Sequence, residues 1–134
     1  MLELEIDGQV FQFKFGMGFL KEINKQVEVP VNGMPGVKNN VGLRWAITQM
    51  YDGDVEALLN VLFIANRDQN PRVTTALLES YVDDENTDIE GLFTQVLDFL
   101  KRTNATKKVT LAVMDQIEKA MAQEEERQKA MAQM

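Results

Sequence analysis

The 134-residue chain reads as an α+β domain, predominantly α-helical, with an N-terminal β-hairpin followed by about six helices. Three observations predict this class. Apolar and polar residues alternate over two short runs at the start of the chain, which is the period of a half-buried strand. From residue 17 onward apolar residues recur three and four apart, the period of a helix face, except in one Pro/Gly-rich stretch. The composition is 45% hydrophobic and 26% charged, within the range of a globular domain, and a chain this long can bury roughly two-thirds of its unfolded surface.

The hairpin comes first. Leu2, Leu4 and Ile6 alternate with Glu3 and Glu5, and Phe11, Phe13 and Phe15 alternate with Gln12 and Lys14. Asp7-Gly8 between them is a type I′ turn signal. A two-residue turn there pairs Ile6 with Gln9, Leu4 with Phe11 and Leu2 with Phe13, which gathers the apolar set on one face. A lone hairpin is marginal in water, so this one must lean on a helix or on another chain. Gly16-Met17-Gly18 ends the strand, and Phe19, Leu20, Ile23 and Val27 predict a helix over 17–27. Residues 28–40 hold Pro30, Gly33, Pro35, Gly36 and Asn39-Asn40 and read as a Pro/Gly loop. Loops of about 12 residues or more are uncommon in compact domains and often functional.

The remainder reads as helices. One covers 41–51, with Val41, Trp45 and Met50 as its apolar set. Asp52-Gly53 breaks it, and Asp54 is the expected N-cap of the next, whose face carries Val55, Leu58, Leu59, Leu62 and Phe63. Asn70-Pro71 predicts a further start, as an N-cap followed by proline at the first helical position, with Val73, Leu77 and Tyr81 as the stripe. Thr87-Asp88-Ile89-Glu90 has capping-box spacing and opens a helix bearing Ile89, Leu92, Phe93, Val96, Leu97 and Leu100. After a break at 103–106, the last helix begins near Lys108 with Leu111, Met114, Ile117 and Met121. Beyond that the stripe thins. Residues 1–118 are expected to form one domain, and 119–134 a polar helical or frayed tail.

Composition restricts the chemistry. The net charge of −7 argues against non-specific nucleic-acid binding and against an anionic membrane surface, both of which need basic patches. With no cysteine there is no disulfide or thiolate, and with no histidine the commonest general base and metal ligand are missing. No apolar run approaches the ~20 residues of a membrane span, and the acidic start lacks the basic region of a signal peptide, so a cytosolic protein is expected. Ser80 is the one serine and has no histidine to activate it.

Two acidic runs could serve as cation sites. Asp83, Asp84, Glu85, Asp88 and Glu90 more simply form an interhelical turn that caps the following helix. Asp52-Gly53-Asp54-Val55-Glu56 lacks the glycine and the bidentate glutamate of a calcium loop, and a helix break with a cap accounts for it. Arg67, Arg72 and Lys107-Lys108 are basic points in an acidic chain, ordinarily solvated. No cofactor and no metal are expected. The eight methionines are adaptable contact residues. Most belong to the core, but Met121, Met131 and Met134 lie where little core remains, and Met34 sits in the loop. Partner-binding candidates are therefore Pro30, Met34, Pro35 and Val37 in the loop, and Met121 and Met131 in the tail.

The specific sequence carries a resemblance. Asp7-Gly-Gln-Val-Phe-Gln-Phe-Lys-Phe-Gly-Met-Gly-Phe-Leu-Lys-Glu-Ile-Asn24 resembles the start of tail assembly chaperones from long, non-contractile-tailed phages and prophages of Gram-positive bacteria. So do Val29-Pro-Val-Asn-Gly-Met-Pro-Gly-Val37 with Gly42-Leu43, Asp52-Gly-Asp-Val-Glu-Ala-Leu58, Asn70-Pro-Arg-Val-Thr74, Asp83-Asp-Glu-Asn-Thr-Asp-Ile89 and Asn104-Ala-Thr-Lys-Lys108. The set is in order over roughly residues 1–110, while residues after about 118 match no such pattern. The resemblance implies a non-enzymatic protein that coats the tape measure protein, keeps it soluble and helps recruit tail tube subunits. It implies action in the bacterial cytoplasm and absence from the finished virion. Such chaperones are often made in two lengths by a ribosomal frameshift, and this chain would be the short form, with tube recruitment falling mainly to the longer one. Homo-oligomerisation is expected, with the hairpin edges and the loop as self-contact elements. The residues leave two alternatives: a structural tail completion or connector protein, and a carboxylate-based metal-dependent enzyme.

Overall fold

The computed structural model describes residues 1–133. Two strands, β1 (Leu2–Ile6) and β2 (Gln9–Phe13), form the N-terminal antiparallel hairpin. Their register pairs Leu2 with Phe13, Leu4 with Phe11 and Ile6 with Gln9, as the alternation requires. The turn residues Asp7 and Gly8 both adopt positive φ, 53° and 79°, the backbone that type I′ geometry needs. One face of the hairpin, Leu2, Leu4, Ile6, Phe11 and Phe13, is buried. The opposite face carries Glu3 and Glu5 and an exposed Val10.

Six helices follow: α1 (Met17–Asn24), α2 (Gly42–Tyr51), α3 (Val55–Ala65), α4 (Thr75–Asp83), α5 (Ile89–Arg102) and α6 (Lys107–Ala132). The fold is thus α+β and helix-dominated. The hairpin leans on the helices as its marginal stability demands. β1 packs on α4, the Lys14 N–H donates to the Ala65 carbonyl at the end of α3 (2.8 Å), and Phe15 meets Phe19 edge-on and Phe99 of α5 at ring separations of 5.3 and 6.0 Å. Helix α2 is the hub, packing against α1, α3, α5 and α6. Its buried residues Leu43, Ala46, Ile47 and Met50 form an i, i+3, i+4, i+7 stripe.

Four local readings change. The helix read over 17–27 stops at Asn24, because the Asn24 Oδ1 accepts from the Leu43 N–H (3.0 Å) and the Val27 carbonyl accepts from the Val41 N–H (2.8 Å). These bonds draw the chain away from the helix axis. The stretch read as a loop over 28–40 holds a second antiparallel hairpin, β3 (Glu28–Pro30) with β4 (Lys38–Asn40). Its turn is closed by bonds from Val31 N–H to Val37 O and from Val37 N–H to Met34 O.

Asn70-Pro71 does not start a helix. The buried Asn66 side chain donates to the carbonyls of Gln12 (2.9 Å) and Pro71 (3.2 Å) and accepts from the Val73 N–H (2.6 Å). That pins 71–73 in a non-helical path, and α4 begins later, capped by Thr74 Oγ1 on the Leu77 N–H. The cap of α5 is Asp88, which accepts from the Gly91 N–H (3.0 Å). The Thr87 hydroxyl, the expected capping-box member, instead donates to the Tyr81 carbonyl (2.6 Å). Asp54 caps α3 as read.

Helix α6 is 26 residues long. Its first part buries Thr110 and Val113 against α2 and α5. The Thr106 hydroxyl, itself buried, donates to the Leu100 carbonyl (2.7 Å) and locks the α5–α6 corner. From Glu118 to Gln133 every residue is exposed, so the helix continues for roughly 20 Å at ~1.5 Å per residue beyond its packed part. Met134 lies outside the described residues.

Candidate functional site

The loop candidates share one structural unit. Pro30 ends β3, Met34 and Pro35 form the turn, and Val37 precedes β4. All four are exposed. The β3–β4 hairpin packs on itself and meets no helix beyond isolated contacts. A cross-strand pair, Lys38 to Glu28 at 3.5 Å, stiffens it only slightly, since exposed ion pairs contribute about 0–1 kcal/mol. It is a protruding ribbon with open edges, anchored at its base by the Val41-to-Val27 bond.

The tail candidates lie elsewhere. Met121 lines a shallow groove with Tyr51, Ala122, Glu118 and Glu125, and Met131 is exposed near the end of α6. The hairpin enters α2 at its N-terminal end, whereas Tyr51 is its last residue. The two candidate sets therefore sit at opposite ends of α2, about 15 Å apart along its axis, and the fold does not bring them together.

The sequence reading missed the largest exposed apolar side chain. Trp45 was placed among the apolar set of its helix, yet it is 58% exposed. The signal was available: Leu43, Ala46, Ile47 and Met50 complete a helical stripe without it, and Trp45 falls off that stripe. Trp45 lies beside the foot of the hairpin, where with Val27, Ala46 and Ala57 it lines a groove of about 360 Å³, at the small end for a ligand pocket. A second groove, between α3 and α4, has a floor of Leu59, Phe63 and Leu78 flanked by Glu56 and Glu79. The Trp45 groove is otherwise largely polar, with Gln26, Gln49, Asp54, Glu56 and Asn60 in its lining; the α3–α4 groove, mainly apolar, is of the kind that accepts side chains of a docked helix.

The acidic runs serve local structure. Asp88 and Asp54 cap helices, and Asp84 accepts from the Asn86 N–H within its turn. Among the described residues, no group of three or more His, Cys, Asp or Glu side chains is arranged to hold a metal ion, and no helix is long and apolar enough to cross a membrane. Of the basic points, Arg67 pairs with Glu22 at 2.7 Å.

What the molecule offers, then, is surface: a free ribbon, an exposed tryptophan, interhelical grooves and a projecting helix. The class is a helix-dominated α+β protein with apolar side chains left on its surface. The family of phage tail assembly chaperone proteins matches the chain over residues 3–116, from β1 through the packed part of α6. The chain belongs to this family. No curated protein and no solved structure gives a significant match.

Proposed function

We propose that this protein binds the tape measure protein during phage tail assembly, keeps it soluble and helps recruit tail tube subunits. It works by contact rather than by catalysis, without cofactor, nucleic acid or membrane. It acts in the host cytoplasm and is absent from the finished virion. Tube recruitment falls mainly to a longer frameshifted form, and copies of the chain associate with one another. One observation carries the reading: the family match spans residues 3–116, nearly all of the packed body.

The surface supports it. A tape measure protein is a long helical chain, and a partner that coats it needs apolar grooves and adaptable side chains in an otherwise charged exterior. The groove between α3 and α4 and the exposed Trp45, Met121 and Met131 supply these. The net charge of −7 keeps a loaded complex soluble.

Mass spectrometry of assembling and finished particles tests the role. The chain is expected with tape measure protein in assembly intermediates and missing from purified tails. Stoichiometric retention in completed particles would instead make it a structural completion or connector component.

A further inference from the structure

We propose that the α5–α6 corner is a second docking surface, built for an acidic segment of a partner protein that also carries apolar side chains. The corner shares no residue with the α3–α4 groove or with the groove beside Trp45, so it goes beyond the tape measure contact proposed above.

This corner is the basic end of an acidic molecule. From Phe99 to Met114 the charged side chains are Lys101, Arg102, Lys107 and Lys108, with no acidic residue among them. With the chain at −7, the remainder carries −11. Arg102 is engaged within its own helix, 3.4 Å from Asp98 and with its guanidinium 4.8 Å from the centre of the Phe99 ring. Lys101, Lys107 and Lys108 make no ion pair among the described residues. Lys107 and Lys108 are exposed and Lys101 is half-buried.

Local structure does not call for all of these charges. Lys101 sits in the last turn of α5, where a cation suits the helix dipole, but Lys107 and Lys108 open α6, where a cation is disfavoured. The first turns of α3 and α5 carry Glu56 and Glu90 instead. The corner also holds its side chains in a fixed frame. The Thr106 hydroxyl donates to the Leu100 carbonyl (2.7 Å), the Thr103 hydroxyl to the Phe99 carbonyl (2.7 Å) and the Lys107 N–H to the Thr103 carbonyl (2.8 Å). The last turn of α5 and the first of α6 are thus joined by bonds rather than by a loose loop.

Leu111, 53% exposed, supplies the apolar half. It lies four residues after Lys107 and three after Lys108, hence on the same face of α6. A leucine flanked by lysines matches a protein segment that sets an apolar residue among carboxylates. A nucleic-acid backbone makes no use of Leu111, and a molecule carrying −11 elsewhere repels a long polyanion outside the corner. A short acidic protein segment is the occupant that fits both the charge and the leucine.

Fluorescence anisotropy on the purified full chain tests this, with a labelled helical peptide of glutamates and leucines as the probe. The peptide should bind saturably, and more weakly as salt is added, since the lysines are open to solvent. Its analogue with glutamine for every glutamate should not bind. Lys107→Glu with Lys108→Glu should weaken binding by about tenfold or more. That variant places glutamates where the α6 dipole favours them, and unchanged far-UV circular dichroism confirms that the fold is kept. Leu111→Gln should weaken binding several-fold. Arg72→Glu, the same charge change outside both helices, should leave it unaltered. Absence of peptide binding overturns the proposal, as does equal binding of the glutamine analogue, wild-type affinity in Leu111→Gln, or a loss in Arg72→Glu as large as in the lysine variant. Tighter binding of a single-stranded oligonucleotide would overturn it in favour of nucleic acid. Oligomers of the chain alone that dissociate in the lysine variant would overturn it in favour of a second copy. No tape measure protein enters the assay, so the result stands apart from that reading.

Discussion

Replacing Gly42 by alanine tests how the exposed ribbon and Trp45 are positioned. A Cβ at Gly42 would sit 1.7 Å from the Ile23 carbonyl oxygen, 2.6 Å from its carbon and 3.0 Å from the Asn24 Cα. These are backbone atoms of α1 and cannot rotate aside, so α1 and α2 must separate by about 1.8 Å to restore ordinary contact distances near 3.5 Å. That movement stretches the Leu43 N–H bond to Asn24 Oδ1, now 3.0 Å, out of range, a loss of about 1 kcal/mol. It also opens the α1–α2 packing, where Ile23, Leu43 and Ile47 are buried. Strain of this kind costs about 1–3 kcal/mol. Alanine recovers about 1 kcal/mol through helix propensity, so the net destabilisation is about 1–3 kcal/mol. In urea, with a slope of about 1–3 kcal/mol/M, the midpoint should fall by roughly 1–2 M. Trp45, the one tryptophan, lies three residues away, and its fluorescence should report the shift of α2 in the native state. Gly18→Ala is the control: there a Cβ meets only the flexible Asp68 carboxylate at 3.3 Å. If Gly42→Ala unfolds within about 0.5 kcal/mol of wild type, the close approach does not exist and the placement of the ribbon must be redrawn.

The other expectations follow from the same contacts. Asn66→Ala removes three hydrogen bonds from a fully buried side chain and should cost about 3–5 kcal/mol in chemical denaturation, because the carbonyls and N–H it leaves behind are partly unsatisfied. Thr106→Val removes the bond to the Leu100 carbonyl at near-constant volume and should cost about 1–3 kcal/mol, with proteolysis between α5 and α6 accelerated. Trp45→Ala should change stability by no more than about 0.5 kcal/mol, as surface substitutions do, while weakening capture of the tape measure protein in pull-down. Deleting residues 30–37 should leave far-UV helicity intact and reduce self-assembly in light scattering, and unchanged assembly would remove the ribbon from the interface.

Much of this architecture was legible in the sequence where one local rule decided the outcome. The first hairpin was fixed by strict alternation and a two-residue turn, so even its register could be read. The α3 cap at Asp54 and the amphipathic α5 rested on side-chain chemistry and spacing that no distant contact overrode. The misreadings arose where a long-range bond won. Asn66, 54 residues from Gln12, holds the segment after Asn70 and displaces a helix start that looked sound locally. Val27 continues the apolar spacing of α1 but is drawn off by Val41. Pro and Gly in 28–40 signalled a break correctly, yet three-residue strands carry too little pattern to be seen. The candidate surface was half visible. Pro30, Met34, Pro35 and Val37 share one ribbon, whereas Trp45, counted in the apolar set of its helix, falls off the buried stripe of Leu43, Ala46, Ile47 and Met50 and is exposed.

Co-expression with the cognate tape measure protein tests the central claim most directly. The tape measure protein, alone, is expected in the insoluble fraction. With this chain it should appear in the soluble fraction and co-elute with several copies of its chaperone. A tape measure protein that stays insoluble with or without this chain would contradict the account.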